Sequence, residues 1–394
     1  MMKLTLCFSL FFFLLANTNS SAAAVKKSMQ SMAKNLESLF PYMKRSKKYS
    51  KNDRVKIAQT LGAMRSQLTQ NKSHFKNSSV PYTVSYEVLK GHFREAESFF
   101  KSRRNINDSY AYTLLRAIPL ACSRCHVSDE KSSGIFGNSL RDKFESDFEF
   151  AEFQFTTRNY SKALRYYKVA IDGGELSGTD LLTAFKRTIF IFLAQKNNLS
   201  RALAMLQKYL GSKRPSPFIK ETLVDWSSGL KKLSNSKNHN TLDENWDHFQ
   251  TYISSHLGKF DDGDDVFRLE GADEIFLINL MANLGRYLNG TPKQENMAEA
   301  IYWYALSDRV LNYNFYFSHS DLYLKMCVKK FSKQAYARKC FKEYESQVIS
   351  SFTGSRGTDI PDEVKRELRE LRKFIFVPRS LKGQKVRREY VPSL

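Results

Sequence analysis

The chain has 394 residues, with 62 Lys/Arg against 40 Asp/Glu, a formal net charge of +22, 30 Phe and 20 Tyr but only 17 Gly and 9 Pro. The many large aromatics, few turn formers and lack of a low-complexity tract favour a helical protein with large aromatic contacts. The basic surplus is uneven. Residues 25–128 hold 20 Lys/Arg and 6 Asp/Glu, residues 129–364 hold 31 of each, and residues 365–394 hold 10 and 3.

The first 24 residues read as a secretory signal peptide: Lys3, an apolar run from Leu4 to Leu15, then small residues ending in Ala22-Ala23-Ala24. Cleavage is expected after Ala22 or Ala24, removing Cys7. The run is too short to anchor in a bilayer, and no later segment approaches 18 uninterrupted apolar residues, so no transmembrane helix is expected after cleavage. The expected location is the periplasm or cell envelope. About 370 residues remain, enough for two or three domains.

Residues 25–128 carry helical periodicity. Met29, Met32, Ala33, Leu36, Leu39, Phe40 and Met43 predict a first helix, ended by Pro41 and a Lys-rich stretch. Asn52 or Asp53 is the expected cap of a second helix with Val55, Ile57, Leu61, Met64 and Leu68 inside. A break over 77–81 precedes a third helix, from about Tyr82 to Lys101, with Tyr86, Leu89, Phe93, Ala96 and Phe100 on one face. Asn107 or Asp108 caps a fourth, where Tyr110, Leu114 and Ile118 lead into Cys122. Four such helices with short connections predict a four-helix bundle.

Residues 122–126 read Cys-Ser-Arg-Cys-His, a C-x-x-C-H sequence that signals covalent attachment of a c-type haem. Chance would produce it in roughly one such sequence per thousand, given 5 Cys and 7 His. On a helix, Cys122, Cys125 and His126 stand at i, i+3 and i+4, so two thioether sulfurs and an imidazole share one face. One haem c is therefore expected, with His126 as proximal iron ligand. A Cys122–Cys125 disulfide and a zinc site are the competing readings; the first lacks a βαβ context and the second lacks another Cys/His cluster.

With this motif on its last helix, the segment resembles the cytochrome c-prime family of exported four-helix bundles. Met29-Gln-Ser-Met32-Ala-Lys-Asn35-Leu36 is similar to that family's first-helix pattern. The resemblance covers 25–128. It implies that Met29 is a candidate distal ligand, with Met32 as second choice. His74 reads as a surface residue and His92 as packing at the core edge. Pro119, one turn before Cys122, departs from the family pattern, as does the short stretch after His126.

Residues 129–139 read as a linker containing Gly134 and Gly137. Over 140–352 the pattern becomes paired helices similar to tetratricopeptide and Sel1 repeats. The first unit, 151–171, has Ala151, Tyr160, Ala163, Tyr167 and Ala170 at packing positions. Later units place Leu199, Ala202, Leu206 and Tyr209, then Ala300 and Tyr304, then Ala337 and Phe341, at matching points. An α-solenoid of helix hairpins that binds a partner protein is what this resemblance implies. Cys327 and Cys340 face each other if the chain breaks near 331–333, and an oxidising compartment would bond them. Asp261, Asp262, Asp264 and Asp265 lack the spacing of an EF-hand and read as an acidic loop. Residues 353–394 read as a turn, a helix from Pro361 and a basic tail.

The expected fold is all-α. The expected function is an exported monohaem c-type cytochrome-like protein for electron transfer or haem-based ligand binding, whose repeats dock a protein partner such as an acidic redox protein. No catalytic constellation of nucleophile and base is present, so no enzyme is expected, and export disfavours nucleic acid. The basic surface favours peripheral contact with an anionic envelope surface. An envelope scaffold without redox activity and a haem gas sensor are the alternatives.

Overall fold

The computed structural model describes residues 27–44, 47–72, 80–102, 108–125, 138–156, 159–174, 176, 178–194, 198–212, 215–236, 242, 245–258, 271–290, 292–312, 319–355 and 357–376. The described residues form fifteen α-helices and one two-stranded hairpin, so the molecule is all-α.

Helix α1 spans 27–39 and buries Met32, Leu36 and Leu39 along one stripe. Pro41 then tightens the chain into a 3-10 turn over Phe40–Tyr42, and Phe40 is buried against Phe144 and Phe153 at ring separations of 5.6 and 4.7 Å. Helix α2 (Lys51–Gln70) begins two or three residues earlier than its sequence suggests. Ser50 is its cap: the Ser50 side chain accepts from the Asp53 N–H, and the Asp53 carboxylate accepts from the Ser50 N–H. This reciprocal box satisfies two donors that a helix start otherwise leaves bare. Ile57, Leu61, Met64 and Leu68 are buried, but Val55 is 50% exposed, because it falls outside their stripe.

Helix α3 (Val80–Lys101) starts at the Val80-Pro81 step, where proline costs no helical hydrogen bond, and buries the predicted face from Tyr86 to Phe100. Helix α4 (Asp108–Cys125) contains Pro119 in its interior. Tyr110, expected inside, is exposed; its hydroxyl donates to Glu95 at 2.6 Å and its ring meets Phe99 edge-on. Consecutive helices α2, α3 and α4 pack on one another.

From residue 147 the chain folds into successive helices: α5 (Asp147–Thr156), α6 (Tyr160–Gly173), α7 (Gly178–Ala194), α8 (Leu199–Leu210), α9 (Pro217–Ser234), α10 (Trp246–His256), α11 (Gly271–Asn289), α12 (Met297–Asn312), α13 (Ser320–Phe331) and α14 (Ala335–Ser351). Most pack on their neighbour in sequence; the exception is α9, which after α8 packs on α11 and not on α10, while α11 also lies against α7, and α12 against α14. Gly229 permits the α9–α11 crossing: a Cβ there would lie 3.0 Å from the Ala272 backbone. The small and aromatic positions Ala151, Ala163, Tyr167, Ala202, Leu206, Ala300, Ala337 and Phe341 are all buried where these helices meet.

A hairpin of β1 (Thr353–Gly354) and β2 (Gly357–Thr358) turns the chain back, with Gly357 at φ +98, into α15 (Asp362–Phe376). The helix follows Pro361, whose carbonyl accepts from Val364 and Lys365. Helix α15 lies on α13 and α14. The buried apolar residues form one continuous cluster from Met32 to Ile375. The α3 helix joins its ends, because it packs against α11 and α13 as well as α2 and α4.

Candidate functional site

Cys122 and Cys125 fall in the last turn of α4, three residues apart. His126 lies outside the described residues, as do His74, the signal segment, the linker residues 129–137, the acidic run 261–265 and the tail from 377. No group of three or more His, Cys, Asp or Glu that could hold a metal ion occurs among the described residues. For a c-type haem the relevant donor set is different: two thiols on one helical turn and the imidazole next in sequence. The described part of α4 ends at Cys125, one residue before the imidazole.

Helix directions place Met29 at the same end as the motif. Asn71, after α2, donates to Ser28 at 2.7 Å, and Gln67 donates to Ser31 at 2.7 Å, so the start of α1 lies by the end of α2. Tyr49, just before α2, meets Phe100 at the end of α3 at 5.6 Å, and Phe99 meets Tyr110 between the end of α3 and the start of α4. Following these antiparallel steps, α1 begins at the end where α4 finishes. Met29 is half-buried and packs against the core, while Met32 is buried. His92 is turned elsewhere: its ring packs edge-on at 5.9 Å against His319, which precedes α13.

A polar chain that sequence reading missed anchors α4 to the later helices. Arg116, less than two turns before Cys122, holds the Tyr112 hydroxyl and lies 3.6 Å from Glu149 on α5. Three residues on, Glu152 accepts the Tyr167 hydroxyl of α6 and lies 3.6 Å from Arg187 of α7. Burial, followed by the Glu152 charge, pushes the Tyr167 hydroxyl well above its ordinary range. The Arg187 guanidinium also covers the Phe155 ring at 4.6 Å. The signal available in sequence was two glutamates three apart in the aromatic run Phe148-Glu149-Phe150-Ala151-Glu152-Phe153. Their common face is polar inside an otherwise apolar helix, and such a face must meet partners to be buried.

Two further polar groups, the half-buried Glu274 and the buried Asp308, hold the later helices. Glu274 on α11 accepts from Trp226 of α9 at 2.8 Å and pairs with Lys186 of α7 at 2.8 Å. Asp308 at the end of α12 accepts the His319 N–H at 2.7 Å, fixing the entry to α13. Cys327 and Cys340 are buried on α13 and α14 with sulfurs 2.14 Å and Cα atoms 6.3 Å apart, on either side of the turn after Phe331. No helix among the described residues is long and apolar enough to cross a membrane. No family model matches the chain, and no curated protein or solved structure matches it.

Proposed function

We propose that the chain is an exported, monohaem c-type protein in which Cys122 and Cys125 form the thioether links and His126 ligates the iron. The observation that carries this reading is the C-x-x-C-H sequence itself, with its two cysteines on the final turn of α4. Each thiol would add across a vinyl group of the porphyrin, sulfur to one carbon and hydrogen to the other, so the two sulfurs must face the same way. A bound haem would supply a one-electron iron couple or an open coordination position for a small gas.

The chain's own residues would set the conditions. Apolar side chains of the α2–α4 core, among them Leu89, Phe93 and Ile118, exclude water and lower the local polarity. Arg116 and Glu149 hold the helix that carries the motif in one orientation. Met29 is the proposed distal ligand, and Met32 the second choice. In this reading α1–α4 form a four-helix bundle and the following hairpins form a solenoid that docks a protein partner, with electron transfer as the role.

The test is expression with a c-type haem maturation system, followed by haem staining of a denaturing gel. A stained band that disappears in Cys122→Ser/Cys125→Ser is expected. An unstained band from folded protein rejects haem attachment and leaves the helical scaffold reading. The reduced spectrum then decides the role: a low-spin α-band that becomes high-spin in Met29→Ala fits electron transfer, whereas a high-spin spectrum that shifts with carbon monoxide fits a gas sensor.

A further inference from the structure

Helix α15 runs antiparallel to α14: Arg372 pairs with Glu345 at 2.8 Å, and Phe376 meets Phe341 and Arg338 at 6.0 and 5.9 Å. The end of α15 therefore lies beside the turn between α13 and α14. Leu368, Leu371 and Ile375 face inward, yet Phe374 and Phe376, on either flank of Ile375, are 49% and 50% exposed. Towards this end lie Lys329, Lys330 and Lys333 at the α13–α14 turn, Arg338 and Lys342 on α14, and Lys373 on α15, all exposed, with Lys373 paired to the exposed Glu370 at 2.5 Å. The 18 residues that follow Phe376 carry five Lys/Arg and one Glu.

We infer that this end of the α13–α15 unit is a docking surface for an anionic phospholipid bilayer. Exposed aromatic rings ordinarily find cover, and here the surrounding charge selects what can supply it. The basic chain after Phe376 would bring like charge onto like charge. A headgroup layer offers phosphate to the cations and hydrocarbon to the two rings. Exposed rings beside exposed cations suit a layer that offers hydrocarbon and phosphate together better than a nucleic-acid strand. The inference does not depend on haem, and its test needs none.

The experiment is co-sedimentation of the full chain with vesicles of equal parts phosphatidylcholine and phosphatidylglycerol, against vesicles of phosphatidylcholine alone. Binding to the anionic vesicles only, weakened by salt, is expected. Phe374→Ser should weaken it roughly fivefold to tenfold, since a half-exposed ring loses its insertion. Lys329→Gln/Lys330→Gln/Lys333→Gln should weaken it by at least as much. Phe374 is exposed, so circular dichroism should show both variants folded. Equal binding to neutral vesicles, no binding to anionic ones, or full binding by Phe374→Ser would overturn the proposal. So would displacement from the vesicles by a single-stranded polynucleotide bound more tightly at the same salt.

Discussion

Glu97 shows how much one buried carboxylate can carry. It is buried on α3 and receives Arg65 from α2 at 2.7 Å and Lys101 at 2.6 Å. The hydrogen bond from Arg65 is the largest influence holding its carboxyl below the usual range; burial opposes it and Lys101 adds to it. A carboxylate whose folded pKa is depressed stabilises the fold above its unfolded pKa, and that contribution is lost as pH falls through the folded value. Glu97→Gln should therefore cost about 1–2 kcal/mol near neutral pH, because Arg65 is itself partly exposed and keeps some water. The difference from wild type should shrink below about pH 4, as measured by denaturant unfolding across pH. A difference independent of pH would assign the cost to packing instead of charge. None of this was legible in the sequence, where Glu97 is one of several glutamates on a helix and its partner lies 32 residues away. The cap of α2 was half legible for a similar reason: the sequence offers Asn52 or Asp53 as the cap, but the cap is Ser50, Asp53 acts in return for it, and only the backbone direction at Ser50 decides this.

At the scale of elements, periodicity carried most of the information. The buried stripes of α2 and α3 follow the 3.6-residue period, and the small-and-aromatic pattern at Ala163, Tyr167, Ala202 and Ala337 marks where paired helices approach. What the period cannot convey is which helix lies on which. Helix α11 contacts α7, α9, α10 and α12, and this depends on Gly229 and on Glu274, residues with no pattern of their own. For the candidate site, the spacing of Cys122 and Cys125 and their helix were legible. The Arg116–Glu149 and Glu152–Arg187 links were not, because they join residues from different helices. The α13–α14 hairpin gives a test at this scale. If the Cys327 and Cys340 sulfurs are bonded, the bridge closes a loop with a sequence separation of 13, and its loss should cost roughly 2–3 kcal/mol through the freedom returned to the unfolded chain. Cys327→Ser/Cys340→Ser should show that loss in denaturant unfolding, and reductant should bring wild type to the same midpoint. A wild-type midpoint indifferent to reductant would mean two buried free thiols.

For the whole molecule, the question is whether α1–α4 and the later helices behave as one body. The sequence suggests two, divided after residue 128 by a change from basic to balanced charge. The contacts across that division are nonetheless of several kinds: Phe40 against Phe144 and Phe153, Arg116 beside Glu149, and His92 against His319. The buried apolar cluster runs through without interruption. Apolar surface shared between two groups of helices couples their unfolding, because neither can open without exposing part of the other. All three tryptophans, Trp226, Trp246 and Trp303, lie in the later helices, whereas helical circular dichroism reports on every helix. Thermal or denaturant unfolding should then give the same midpoint by tryptophan fluorescence and by circular dichroism, with one transition in each. An early loss of part of the helical signal, before any change in fluorescence, would show α1–α4 melting alone. In that case the Phe40, Arg116 and His92 contacts hold two independent units together without stabilising either, and Phe40→Ala should separate them further. With one transition, Phe40→Ala should instead lower both midpoints together, by the roughly 3–5 kcal/mol that removing a buried phenyl ring costs.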